Sequence, residues 1–419
     1  MSDGKCDIAV IGSGPAGLSA ALAAAEKGSH TVIFEKLSFP SLKLLASGGG
    51  KCNISNILSI PEFMKAFGRE GKFMRNALET AYHDWLFDFL KSESVPLKLV
   101  NDFHWFPCSE RSRDVLDAFA GKLRRLGGSI RTGVHITQLI AEEGNITGLK
   151  TSDGDRIACR AVILAGGGTA APELGGSRAA LDLAEALGHT SAPLHPAMAP
   201  LLIRNREFKE LTGISLPDAE LFFHHGRRLF QNRGELLFTH DGVSGPCALD
   251  LAGDLSETCA AQGDTELFLK PDAAKDPDFW KHEIERMRLE DGRKQVSTLL
   301  ARRFPHAFAN LVCTLAECRE TKVCELPAEN RERLCGLLGN GIRLTAYGSG
   351  PMSRAMAMKG GIKLNEIDPR TMQSRLVSGL YFAGEIMDLT GPCGGYNIQW
   401  ALSSGRFAGM NAAESISNH

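Results

Sequence analysis

The chain begins with an apolar run, Cys6-Asp7-Ile8-Ala9-Val10-Ile11, then a glycine-rich turn and an alanine-rich stretch over 18–27. A short run that is apolar at successive positions, not alternating ones, predicts a parallel strand buried on both faces. The alanine-rich stretch has high helix propensity, and Gly28 stands at its stop. A second apolar run, Thr31-Val32-Ile33-Phe34, ends on Glu35. Together these segments predict a βαβ unit. Further strands are expected at 129–136, 148–151, 161–164 and 379–382, and a helix at 398–414. Between them the pattern changes twice. Short β-rich runs at 201–203, 220–223, 228–230, 236–238 and 266–269 suit a barrel. From Pro271 charge-rich helical stretches follow, at 278–290, 295–303, 305–318 and 327–338, the last opened by Pro327 and closed by Gly339.

The turn inside the βαβ unit reads Gly12-Ser13-Gly14-Pro15-Ala16-Gly17, which fits G-x-G-x-x-G. Gly12 permits the tight turn, Gly14 lets a pyrophosphate approach the backbone, and Gly17 lets helix and strand pack closely. Pro15 suits the first helical turn, where its missing N–H costs nothing. The helix start then offers N–H groups and a positive dipole end to phosphate. Glu35 is placed to accept hydrogen bonds from ribose hydroxyls, and Lys36 follows it. The arrangement predicts dinucleotide binding, with GSGPAG and the terminal glutamate leaning to FAD.

Glycines punctuate four more places. Ser47-Gly48-Gly49-Gly50-Lys51-Cys52-Asn53-Ile54-Ser55-Asn56 follows Lys43; its glycines allow backbone to lie flat against a planar ligand, and Lys43 and Lys51 offset phosphate or flavin charge. The strand at 161–164 runs into Ala165-Gly166-Gly167-Gly168, and residues 236–246 form a strand and polar turn containing His240. Near the C-terminus a strand leads to Gly384-Glu385, then through Gly391-Pro392-Cys393-Gly394-Gly395-Tyr396-Asn397 into the helix that includes Ile398. A helix start delivered to the flavin pyrimidine edge favours the negative charge that a reduced flavin carries.

Lys plus Arg total 47 against 49 Asp plus Glu, a net charge of −2, which argues against a polyanion-coating protein. No apolar run is long enough to span a bilayer. The eleven cysteines contain no C-x-x-C pair and suggest neither a disulfide framework nor a metal site, so reduced thiols and a cytoplasmic location are expected.

The motifs GSGPAG, SGGGKCNISN, GELLFTHDGVSGP, KGGI at 359–362, TMQS at 371–374 and GLYFAGEIMDLTGPCGGYNIQWALSSG give the chain a resemblance to the BaiN-like, or aminoacetone-oxidase-type, NAD(P)/FAD-dependent oxidoreductases. The resemblance extends over nearly the whole chain. It implies an α/β fold: a Rossmann-like FAD-binding domain of the glutathione-reductase-like lineage with an inserted β-barrel and small helical bundle. The boundaries expected are 1–190 and 351–419 for the FAD domain, 191–270 and 341–350 for the barrel, and 271–340 for the helices. It implies FAD contacts from Gly12, Gly14, Pro15, Ala16, Gly17, Glu35, Lys43, Gly49, Cys52, Val134, Gly166, Gly384, Glu385, Gly395, Tyr396, Asn397 and Ile398, and their neighbours Lys36, Gly50, Asn53 and Ala165 are expected to join them. One departure stands out: Gly176-Ser177-Arg178-Ala179-Ala180 replaces the family's Gly-Asp-Gly, so this loop is expected to line the site differently.

The expected activity is hydride transfer between a small organic substrate and flavin N5. Oxidation of an amine with oxygen as acceptor is placed first, and reduction of an enone or steroid-like double bond with NAD(P)H is the alternative. A flavoprotein for nucleic-acid modification or partner binding ranks lower, because Arg124-Arg125, Arg227-Arg228 and Arg302-Arg303 are isolated pairs. Only one dinucleotide fingerprint is present, so any nicotinamide visits transiently. Candidate chemical groups are His240, Tyr396 and Cys52, with His195 behind them; no nucleic acid, membrane or metal partner is expected.

Overall fold

A computed structural model describes residues 4–417 of the chain. These residues fall into two compact units, one running to Leu194 and resuming at Ala357, the other comprising His195–Met356.

The first unit is built on a five-stranded parallel sheet in the order Leu380–Phe382, Ala161–Leu164, Ile8–Ile11, Thr31–Glu35, Ser129–Thr132. Ala161–Leu164 and Thr31–Glu35 are buried at every position, the burial that a continuous apolar run requires. The helix Pro15–Glu26 begins at the proline itself, and its residues from Ala16 to Ala25 are all buried. A helix covered on all sides needs a close neighbour. That neighbour is the last helix, Tyr396–Ser417. Ser19 Oγ donates to the Leu402 carbonyl at 2.7 Å, and Cβ atoms at Gly405 and Gly409 would lie 2.2 and 2.1 Å from the carbonyl oxygens of Ala16 and Ala20.

The expected strand at 129–136 is two. Gly133, at φ 72°, turns the chain out of the parallel sheet after Thr132, and Ile136–Glu142 belongs to an antiparallel sheet with Asn145–Thr151 and Arg156–Ala158. Residues 57–128, which carried no sequence expectation, form the helices Ile60–Ala66, Arg75–Thr80, His83–Ser92 and Ser112–Arg125 and a small sheet. That sheet orders Ser55–Asn56, His104–Pro107 and Leu97–Val100.

The second unit contains a closed six-stranded barrel, ordered Leu201–Ile203, Gly242–Ser244, Arg228–Thr239, Ser215–His225, Thr265–Lys270, Ile342–Ser349. Its inward positions alternate as barrel walls must: Ala219, Leu221 and Phe223 are buried, as are Leu267 and Leu269 on the neighbouring strand. The hairpin is far longer than the runs at 220–223 and 228–230, because its polar alternate positions mask the strand period. The same unit holds Pro277–Asp291, capped by Asp276 accepting from the Phe279 N–H at 2.7 Å, and the helices Val296–Leu300, His306–Leu315 and Ala328–Gly339. Among the described residues no helix is long and apolar enough to cross a membrane.

Candidate functional site

Three glycines of the first turn have three different surroundings. A Cβ on Gly12, at φ 99°, would lie 2.6 Å from the Ala165 carbonyl oxygen, and one on Gly17 would lie 1.9 Å from the Gly12 carbonyl oxygen. Both glycines are therefore spent on backbone packing. A Cβ on Gly14 would meet nothing within 4 Å. Gly14 caps the helix in an extended conformation, φ −62° and ψ 179°, so the open space lies in front of the positive end of the helix dipole, where first-turn N–H groups have no intrahelical acceptor. Such an opening has the shape and polarity that a pyrophosphate would fit.

Glu35 ends the adjacent strand, 8% exposed. Its Oε2 accepts from Ser13 N (3.0 Å) and Ser13 Oγ (2.6 Å), and its Oε1 from Leu37 N (3.0 Å). A carboxylate has about four acceptor positions, so one remains for a ribose hydroxyl. Val134 N donates to the Glu35 carbonyl at 2.9 Å, bringing the 133–135 loop beside it. Lys36 donates to Ser177 Oγ at 2.5 Å, and burial depresses its pKa. The divergent loop thus packs against this end of the site. Ala180 sits where a Gly166 Cβ would approach its own Cβ at 2.6 Å. Arg178 points its charge at its own helix, pairing with Asp182 at 3.0 Å and Glu185 at 2.7 Å.

At the other end, Lys43 Nζ lies 2.7 Å from Glu385 Oε2, and Met358 N donates to Glu385 Oε1 at 2.9 Å. A Cβ on Gly384 would press on the Ala16 side chain at 2.8 Å, so the Gly384-Glu385 corner sits directly on the first helix. Lys51, expected to face the cofactor, is exposed and paired with Glu110 at 2.8 Å; its charge is committed to another carboxylate. Gly48, Gly49 and Gly50 all have positive φ, and a Cβ on Gly49 would again meet nothing within 4 Å.

The SGGGKCNISN segment is fastened to the turn that starts the last helix. Asn56 Nδ2 donates to the Gly394 carbonyl at 3.1 Å. The Asn53 amide satisfies both its ends by donating to the Ser55 carbonyl at 3.0 Å and accepting from Gly395 N at 3.3 Å and His104 Nδ1 at 3.1 Å. Gly395, at φ 82°, has no room for a side chain, since its Cβ would be 2.5 Å from the Ser55 carbonyl oxygen. Ser55 Oγ meets His83 Nε2 at 3.0 Å. Burial lowers the pKa of His83 to about 4 and also depresses that of His104, so both rings are neutral at neutral pH. Neither histidine stood out in the sequence. His104 had a faint signal, an aromatic run His104-Trp105-Phe106, without a periodicity to place it.

The chemical candidates separate. Tyr396 is 8% exposed, its ring packed against Phe63 at 5.3 Å and Phe67 at 6.2 Å. Cys52 is fully buried and its thiol is pushed up to about 12 by desolvation, the opposite of what a nucleophile needs. His240 lies in an exposed turn of the barrel unit and His195 on the strand Ser191–Ala197, half-buried. The Asn397 amide is spent within its loop, accepting from Gly391 N at 2.8 Å and donating to the Gly391 carbonyl at 2.9 Å. A cofactor contact there falls to its backbone, beside the half-buried Ile398. Among the described residues no cluster of histidine, cysteine and acidic groups is arranged to hold a metal.

A parallel sheet with an open glycine cradle at a helix start and an acid at the next strand end defines a Rossmann-type dinucleotide fold, and the family it belongs to makes the chain an FAD-dependent oxidoreductase. The chain belongs to the family described as HI0933-like protein Rossmann domain, whose model matches residues 6–411. It is 30% identical to the 3-dehydro-bile acid delta(4,6)-reductase of Clostridium scindens, over 97% of this chain and 99% of that one. It is 27% identical to the ribosomal RNA dihydrouridine synthase of Haemophilus influenzae, over 94% and 95%. Among solved structures it is similar in fold to the 3-ketosteroid delta1-dehydrogenase of Sterolibacterium denitrificans, with a TM-score of 0.56 and 13% identity over 98% of this chain and 100% of that one.

Proposed function

We propose that the protein reduces a carbon–carbon double bond conjugated to a carbonyl group in a small, steroid-like substrate. The observation that carries this reading is the end-to-end similarity to a delta(4,6)-reductase. The dihydrouridine synthase relative supports the same reaction class, since making dihydrouridine saturates a double bond conjugated to a carbonyl of uracil. Amine oxidation, placed first on sequence grounds, therefore yields to double-bond reduction. RNA as the carrier of the reducible bond rises above the rank that charge alone gave it.

When bound and reduced, FAD would supply hydride chemistry at the β-carbon of such an acceptor, whose α-carbon takes its proton from water. The chain supplies the holding groups. Gly14 and the start of the first helix would seat the pyrophosphate. Glu35 would take one ribose hydroxyl with its remaining acceptor position. The Gly394-Gly395 turn and the positive end of the last helix would face the flavin pyrimidine edge, where negative charge is stabilised. The glycine backbone at 48–50 leaves a flat surface without side chains for the ring system.

The test is anaerobic. The reduced holoenzyme is mixed separately with a 3-keto-4-ene steroid, a ribosomal RNA fragment and buffer, while the oxidised enzyme is mixed with a panel of primary amines. Return of the yellow colour with the steroid, and recovery of the saturated ketone, is the expected result. Recolouring by RNA alone moves the substrate to a nucleobase; bleaching of the oxidised enzyme by amines reverses the direction of electron flow.

A further inference from the structure

The geometry points to His104 as a positioning residue for the flavin, acting through Asn53 on the Gly394-Gly395 turn. This rests on the reading above that the turn borders the isoalloxazine.

Three observations converge. His104 Nδ1 stands 3.1 Å from the Asn53 carboxamide oxygen, which also accepts from Gly395 N at 3.3 Å. The imidazole also lies against Gly394, its Cε1 3.1 Å from where a Cβ on that residue would stand. Asn56, two residues from Ile54 whose N–H is held by the Trp105 carbonyl at 2.9 Å, grips Gly394 from the other side at 3.1 Å. The sheet containing His104–Pro107 and Ser55–Asn56 thus carries a clamp whose far side is the start of a 22-residue helix.

The chemistry of the parts explains the choice of residues. Gly394 and Gly395 have φ of 115° and 82°, a conformation with little intrinsic preference to persist, so external hydrogen bonds must hold it. A neutral imidazole gives Asn53 a donor without placing a permanent cation beside the helix start. With the donor in place, the Asn53 oxygen is fixed toward Gly395 N and its nitrogen toward the Ser55 carbonyl; without it, the amide has no reason to keep that orientation. The turn then loses registry with the segment 48–53, and the helix end that stabilises negative charge on the flavin is no longer held in one place.

The experiment uses the holoenzyme with His104→Leu, His104→Asn, Asn53→Ala and the His104→Leu/Asn53→Ala double variant. Asparagine keeps a hydrogen-bonding nitrogen near the Nδ1 position; leucine does not. FAD dissociation constants, the visible flavin spectrum and the flavin reduction potential are measured. His104→Leu and Asn53→Ala are each expected to weaken FAD binding roughly 5- to 10-fold, the scale of one lost hydrogen bond, with an altered flavin spectrum and a lower potential. His104→Asn is expected to restore all three toward wild type, and the double variant to be no worse than Asn53→Ala alone, because that substitution already removes the amide through which His104 acts. Additive losses, or a leucine variant with wild-type affinity, spectrum and potential, would overturn the assignment. If His104→Leu does not fold, Asn53→Ala against wild type and His104→Asn still decides it. A wild-type protein that takes up no FAD would instead defeat the underlying reading, a result distinct from unchanged flavin properties in the variants.

Discussion

The ammonium group of Lys43 and the carboxylate of Glu385 lie 2.7 Å apart across 342 positions of sequence. Each side chain is largely shielded, 33% and 21% exposed, and the second carboxylate oxygen is occupied by Met358 N. The pair joins the short helix Leu42–Ala46, just before the triple glycine, to the corner that rests on the first helix. Removing one partner strands a shielded charge, which costs more than the pair contributes. Lys43→Met is therefore expected to lower stability by about 1–2 kcal/mol, and Lys43→Met with Glu385→Gln to recover part of it. Denaturant unfolding of the three proteins checks this; a double variant worse than the sum of the single ones would refute the pairing.

Gly14 and Gly17 make a contrast within one motif. Gly14→Val adds atoms where no protein neighbour stands within 4 Å, so the apoprotein is expected to melt at the wild-type temperature while the purified protein is colourless. Gly17→Ala forces a Cβ to 1.9 Å from a carbonyl oxygen and is expected to cost several kcal/mol, of the order found for overpacked cores or more. Flavin absorbance and apoprotein melting, measured together, separate the two. Equal thermal losses in both would mean that Gly14 is structural as well.

Stability is expected to fall in mild acid. Burial holds the folded-state pKa of His83 near 4, against an ordinary 6.5. Protons therefore bind the unfolded chain first: the contribution is whole above about pH 6.5 and is lost as the pH falls from there to about 4. Its size is at most roughly 3 kcal/mol, reduced by the ring's partial solvent access. Desolvation depresses the pKa of His104 and His189 too, so they act in the same direction. His83→Gln is expected to flatten the slope between pH 7 and 5 in thermal melts, at the expense of the Ser55 hydrogen bond at all pH values. An unchanged slope would exclude His83 as a contributor.

Cys52 adopts φ 61° and carries a buried, protonated thiol. Native-state alkylation is expected to label the exposed Cys108 and Cys324 and to leave Cys52 untouched. Cys52→Ala is expected to keep its FAD and its turnover within about twofold, as for a side chain outside the chemistry. A loss of turnover with FAD content intact would restore Cys52 as a participant.

The parts of the site visible in the sequence are those where steric demand leaves few choices of residue. Gly12, Gly14 and Gly17 answer three separate clashes or openings, and Glu35 ends a strand whose apolar run leaves no doubt about its burial. The clamp on the last helix was hidden for the opposite reason. Ser55–Asn56 is a strand of two residues, too short to show a period, and His104 reaches the site from a segment with no glycine signature. Lys51 misled because a lysine beside glycines invites an anion, whereas Glu110, far along the chain, already supplies one. The long barrel hairpin was underestimated because its polar alternate positions hid half of each strand, and Gly133 cut one expected strand in two.

The seam between the first and last helices sets a timetable. Ser19 and Leu402, which touch across it, are 383 positions apart. During synthesis, at some 5–20 residues per second, the alanine-rich helix is made 383 positions ahead of the glycine-grooved surface that covers it. For tens of seconds an apolar rod waits on the ribosome without its partner. Nascent chains stalled before residue 400 should accordingly recruit chaperones, whereas those extended past the final helix should let go of them.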